Sequence, residues 1–193
     1  MNVQQLNDKE LISAYLQGNH KAFEILLNRH RNKIYTSIYL FVKDSDLAED
    51  IFQDVFIKII DTLRKGKYNH EGKFLQWAMR ISYNMCVDQF RRSKRRTKVS
   101  PSETFDIFDV LETGDENMET TIIKSELHTK VRSLVDQLPP EQREVVILRH
   151  YADMSFKEIS KLTRVSINTA LGRMRYALIN MRKMAGSREL LAS

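Results

Sequence analysis

SFKEISKLTRVSINTALGRMRYALINMRK, residues Ser155–Lys183, reads as two short helices joined by a tight turn, with a basic outer face. Ser155 is followed three residues later by Glu158, the spacing of a capping box, in which hydroxyl and carboxylate satisfy the free amides of a starting helix. That helix is predicted to run to about Thr163 and to bury Ile159 and Leu162. Ser166 can cap a second helix, placing Ile167, Ala170, Met174, Leu178 and Met181 on one stripe and Asn168, Thr169, Arg173 and Tyr176 on the opposite face. Such residues at the start of a second helix suit base-edge and phosphate contacts in a major groove wide enough to admit a helix. The pattern favours a helix-turn-helix over an ordinary αα-hairpin with a solvated basic face, which the same spacing allows.

Two further helices precede this hairpin and supply the core it lacks. One carries Leu127, Val131, Leu134, Val135 and Leu138; Pro139 and Pro140 stop it, and Glu141 helps to start the next, with Val145, Val146 and Leu148. From Arg149 to Arg188 there are nine Lys or Arg against two acidic residues, a polarised footprint that suits DNA. Upstream the character inverts. Ser100–Glu126 holds eight acidic residues against one lysine, with few periodic apolar positions, so it reads as a linker with a short apolar anchor at Phe105, Ile107, Phe108, Val110 and Leu111. Just before it, RRSKRRTK (Arg91–Lys98) carries six positive charges.

The N-terminal half is also helical by period. Asn7 with Glu10 suits a capping box for a helix bearing Leu11, Ile12, Tyr15 and Leu16, and Gly18 can end it. A second helix has Phe23, Leu26, Leu27, His30, Ile34, Ile38 and Phe41 on one stripe, with His30 read as a packed histidine and no ligand. Asp46 and Glu49 repeat the capping spacing before a third helix that faces Ala48, Phe52, Val55, Phe56, Ile59 and Leu63 inward. Its other face, Glu49, Asp50, Gln53, Asp54 and Asp61, is an acidic stripe on a basic protein. By itself it reads as a solvated face whose early carboxylates favour the helix dipole, the other reading being a docking surface for a basic partner.

Arg64–Phe74 reads as a loop with two glycines. The helix after it places Phe74, Trp77, Ala78, Ile81 and Met85 inward and Arg80, Tyr83, Asn84, Arg91 and Arg92 on other sides. Rings stack on base faces and guanidinium groups neutralise a backbone, so this combination suits unpaired nucleic acid; Trp77 fits core and binding equally.

Composition narrows the classes. The chain has 193 residues and a net charge of +6 with a pI near 9.4, favouring an anionic partner, nucleic acid or membrane surface. No apolar run approaches the roughly 20 residues that span a bilayer, and MNVQQLNDKE lacks a signal peptide's apolar centre, so a cytoplasmic protein is expected. Cys86 is the sole cysteine, which excludes an intrachain disulfide and speaks against a cysteine-based zinc site; it reads as a small buried residue. No phosphate-binding glycine loop, metal-spaced His and Cys, or nucleophile–base motif is present, so no enzyme activity, cofactor or metal is expected.

Three passages in this order resemble the extracytoplasmic-function (ECF) group of bacterial sigma factors, over roughly Leu6–Arg96 and Leu127–Lys183. DSDLAEDIFQDVFIKI is similar to the family's helix for the clamp of core RNA polymerase. FLQWAMRISYNMCVDQFRR is similar to its minus-10 helix, and LPPEQREVVILRHYADMSFKEIS with the helix after it to its minus-35 reader. The resemblance implies an all-α chain of two small helical domains joined by an acidic linker, the second a four-helix domain with a helix-turn-helix. Residues 1–96 would bind core polymerase and the minus-10 element, 97–124 would be a flexible linker, and 125–193 would bind the minus-35 element. Core polymerase, through the clamp of its largest subunit and the flap, and promoter DNA are the implied partners. Members of the group are often held inactive by an anti-sigma protein, membrane-anchored or soluble; no residue here identifies one.

By the same carry-over, Asp46, Glu49, Asp50, Gln53 and Asp54 would meet the polymerase. Lys73, Phe74, Trp77, Arg80, Asn84, Arg91 and Arg92 would meet the minus-10 strand, the loop ending at Phe74 and Asn84 holding a flipped base. Lys157, Ser166, Asn168, Thr169, Arg173, Arg175 and Tyr176 would meet the minus-35 duplex. The chain departs from the family at Arg164, where a turn glycine is common, and at Leu171 and Gly172, where basic or hydroxyl side chains are frequent. Two rival readings are weaker. A helix-turn-helix regulator acting alone leaves the acidic stripe and the aromatic-basic helix idle, and a recombinase needs an α/β catalytic domain that the helical period argues against.

Overall fold

The computed structural model describes residues 3–69, 72–96 and 130–192, with side chains described for 4–69, 72–92 and 130–186. The expected linker, its apolar anchor and Leu127 lie outside these residues. Among the described residues every regular element is a helix. The chain divides into two compact units at 107/108, within the acidic stretch.

In the first unit a short 3-10 turn at Val3–Gln5 leads into α1 (Asp8–Leu16), α2 (His20–Val42), α3 (Ser45–Arg64) and α4 (Phe74–Arg96). Helices α2, α3 and α4 pack against one another, and α1 lies on α2 and α3. The expected capping box at Asn7 forms, the side chain accepting from the Glu10 amide while Glu10 accepts from the Asn7 amide at 2.8 Å. Gly18, with φ +98, follows the end of α1 as expected, in a conformation that costs a residue with a Cβ. One cap differs from the sequence reading: Asp44 starts α3, its carboxylate accepting from the Leu47 amide at 3.0 Å. Asp46 therefore sits inside the first turn, where its charge still favours the dipole.

The inward face predicted for α3 is the core: Ala48, Phe52, Val55, Phe56, Ile59 and Leu63 are all buried. Cys86 is buried too, and desolvation pushes its thiol up to about 12, so it behaves as an apolar filler. Tyr83, expected on an outer side of α4, packs instead edge-on against Phe41, with ring centroids 5.6 Å apart.

The second unit comprises α5, described over 130–136, α6 (Pro140–His150), α7 (Phe156–Thr163) and α8 (Ile167–Ala192). This is the expected four-helix domain. Pro140 occupies the first turn of α6, where its missing N–H is harmless. Helices α6 and α7 both pack on α8, around Val145, Ile147, Leu148, Ile159, Ala170 and Ala177. The apolar stripe of α8 is offset from the predicted one: Ala170 and Ala177 form its buried centre, while Ile167 and Leu178 are each 44% exposed.

Candidate nucleic-acid interface

The α7–α8 turn is built as the opening stretch requires. Ser155 and Glu158 form the capping box, and the Ser166 hydroxyl accepts from the Thr169 amide at 3.0 Å. Between the helices Arg164 takes the left-handed conformation, φ 58 and ψ 38, so a side chain stands where glycine would be unstrained. Lys157, Ser166, Asn168, Thr169, Arg175 and Tyr176 are exposed, Tyr176 at 61%. The Ser166 and Thr169 hydroxyls lie 2.8 Å apart and hold each other.

Arg173 and Arg149, among the nine basic residues, are used inside the unit. Arg173, read as part of the outer face, is turned toward α6 and pairs with Glu144 at 3.3 Å. The geometric reason is that it lies three residues after Ala170 and four before Ala177, beside the buried seam. Arg149 donates to the Met154 carbonyl at 2.8 Å and lies over the Phe156 ring, fixing the α6–α7 turn ahead of the Ser155 cap.

Lys73, just before α4, and Trp77, Arg80, Asn84 and Arg91 on it are spaced by three, four or seven residues, which puts them on one face. Lys73, Arg80, Asn84, Arg91 and Arg92 are exposed and Trp77 is half-buried. Arg91 lies 3.6 Å from Asp88 in an exposed pair. Phe74 is the exception, because it is 1% exposed and belongs to the core. Its ring lies 5.8 Å from Trp77, 6.2 Å from Tyr68 and 5.4 Å from His30. Tyr68, which sequence reasoning did not single out, packs on Trp77 with centroids 4.5 Å apart and planes tilted by 49°, completing an aromatic shelf with Phe74. A lone tyrosine in a polar loop nine residues before the tryptophan was the available signal.

Beneath the shelf is an ion cluster. Asp8 receives His30 Nε2 and Arg29 Nη1, each at 2.7 Å, and Arg29 Nη2 donates to the Leu6 carbonyl. Burial pushes the Asp8 carboxyl up, but the bonds from His30 and Arg29 outweigh it and hold it below its ordinary 3.8. His30 is thus packed, as expected, and it ties α1 to the underside of Phe74.

Along α3, Asp46, Glu49, Asp50, Gln53 and Asp54 are all exposed, and Ile57, 60% exposed, lies among them. Nearby, desolvation and then the Glu49 charge push the Tyr35 hydroxyl up. The stripe can present anionic charge at little cost to the fold, since its opposite side alone carries the core.

Among the described residues the protein is all-helical, with a helix-turn-helix unit and a separate aromatic-basic helix, an arrangement suited to nucleic acid. Family models identify it further: Sigma-70 region 2 matches residues 26–96 and Sigma-70 region 4 matches residues 128–175, together more than half of the chain. The RNA polymerase sigma-H factor of Pseudomonas aeruginosa is 26% identical over 178 residues, covering 88% of this chain and 89% of the relative. An ECF RNA polymerase sigma-E factor of Haemophilus influenzae is 26% identical over 176 residues, covering 89% and 91%. The solved structure of the sigma factor RpoE from Bartonella quintana, in complex with the anti-sigma factor NepR, shares the fold with TM-score 0.65 at 18% identity, over 86% of this chain and 98% of that one. The chain belongs to the sigma-70 family, in its ECF group. It is a transcription initiation factor with core RNA polymerase and promoter DNA as partners, and not an enzyme.

Proposed function

We propose that residues 1–96 dock core polymerase and capture the opened minus-10 strand, that 125–193 read the minus-35 duplex and meet the flap, and that 97–124 join them in the cytoplasm. The exposed carboxylates Asp46, Glu49, Asp50 and Asp54, with Gln53, meet a basic surface of the clamp. Asn84 offers hydrogen bonds and the Tyr68–Trp77 shelf a stacking face for one extruded base, while Lys73, Arg80, Arg91 and Arg92 neutralise the strand. Phe74 serves this site from beneath, as the floor that keeps Trp77 in place. Flipping a base costs a few kcal/mol of stacking and pairing, so a pocket that restores both captures the melted state without ATP. An anti-sigma protein, membrane-anchored or soluble, is a further partner class, a reading supported by the Bartonella quintana complex.

The observation that carries this reading is the pairing, on adjacent packed helices, of an exposed acidic stripe on α3 with an exposed amide and cations on α4, beside Trp77 and the Tyr68 ring packed on it from the preceding loop. Permanganate footprinting of open complexes tests it. Asn84→Ala should slow opening of duplex promoter while closed binding stays nearly intact. A promoter mismatched across the minus-10 region should return part of the lost activity, because the unpairing cost is gone. Equal opening by wild type and the Asn84→Ala, Trp77→Ala double variant on duplex promoter overturns the base-capture assignment.

A further inference from the structure

Leu171, exposed, and Gly172, half-buried, lie side by side on α8, and no contact among the described residues accounts for either. Leu171 is 43% exposed and holds no core position. Gly172 is helical, with no positive φ to require a glycine, and a Cβ added there meets nothing within 4 Å. Glycine is the worst ordinary residue for a helix interior, so an uncrowded one needs a reason from outside the fold. Asn168, Leu171, Gly172 and Arg175 follow one another at i, i+3, i+4 and i+7, on one helix face. Every charge from Ser160 to Arg188 is positive, including exposed Arg164, Arg175 and Arg182, so this apolar spot lies in a surface fitted to a polyanion.

The 5-methyl of thymine is the apolar group on the major-groove edge of DNA, and it is where an aliphatic side chain earns discrimination there. We propose that Leu171 packs against a thymine methyl in the minus-35 element and that Gly172, lacking a Cβ, lets the α8 backbone approach the groove edge closely enough for that contact. The inference rests on the minus-35 reading of α8 and adds its base specificity.

The test uses the full chain with core polymerase. Duplexes selected from a pool randomised across the minus-35 region should carry a fixed thymine. Replacing it with deoxyuridine removes one methyl group and should weaken wild-type binding about fourfold, the value of one buried carbon, while Leu171→Ala should be insensitive to the exchange. Gly172→Ala should move the other way in the two assays, raising the thermal midpoint of the second unit by a few degrees and lowering promoter affinity. No selected thymine, wild-type indifference to deoxyuridine at each selected position, or full promoter affinity in Gly172→Ala overturns the proposal. So does weakened binding of Leu171→Ala to core polymerase without DNA, which makes this edge, continued by Leu178, a protein contact. If no minus-35 sequence is enriched and Arg175→Ala changes nothing, the minus-35 reading itself fails; enrichment that depends on Arg175 but ignores the methyl group sinks this inference alone.

Discussion

Asp8 shows how one carboxylate can serve a site it never touches. It anchors His30, whose ring backs Phe74, and Phe74 in turn backs Trp77. Because its folded pKa lies below the ordinary 3.8, the stability it contributes is present above that value and is lost as pH falls through the folded one. Asp8→Asn should therefore flatten the decline in stability on the acid side and lower stability near neutrality. Urea midpoints between about pH 6 and pH 2.5 read both effects, and parallel curves for variant and wild type would remove Asp8 from this role. The residue was legible as part of a helix start, since Asn7 and Glu10 stand at capping distance. Its bond to His30 was not, because 22 residues separate them and the contact depends on how α1 crosses α2.

Helix α3 divides its work cleanly by face, with seven buried apolar residues on one side and the acidic stripe on the other. Charges on such a stripe govern association more than stability. Reversing Asp50 and Asp54 to lysine should weaken core-polymerase binding by about tenfold or more at low salt, with the difference shrinking as salt screens it. The midpoint of thermal unfolding should stay within a shift worth about 0.5 kcal/mol. A pull-down titrated with salt, beside a melting curve, measures both, and unchanged affinity would remove the stripe from the interface. At this scale period and caps were readable in advance, as at Ser155, Ser166 and Pro140. The exceptions arise where two neighbours compete for one role: Asp44 outreached Asp46 as the cap of α3, and Ala170 and Ala177 of α8 took the buried places while Ile167 and Leu178 stayed exposed.

Across the whole chain, each unit has its own core, so damage to one should leave the other standing. Ile147, fully buried among α6 and its neighbours, is the place to test this. Ile147→Ala should cost about 2–5 kcal/mol in the second unit, enough to unfold a small domain, and Ile147→Val about 0.5–1.5 kcal/mol. Calorimetry of the full chain should show the second-unit transition lowered or lost and the first-unit transition unmoved. A matching shift in both would mean that the two cores unfold as one.

Sequence alone determined the helical class, the two-unit division, most of the capped helix starts and the family, because these follow from 3.6-residue period, capping chemistry and charge runs that are local in the chain. It also set which charges are exposed along α3, since one amphipathic face leaves the other no choice. The tertiary structure alone decided which of the named residues are free to meet a partner. Arg173 satisfies the local pattern for a contact residue, yet Glu144 takes it into an ion pair, and Phe74, a contact residue by family resemblance, keeps the inward place its period gives it, in an aromatic core. Tyr68 joins Trp77 only because its loop folds back over α4. The physical reason is that a side chain's place in the sequence sets at most its face on a local element, while the neighbouring element decides whether that side chain meets water.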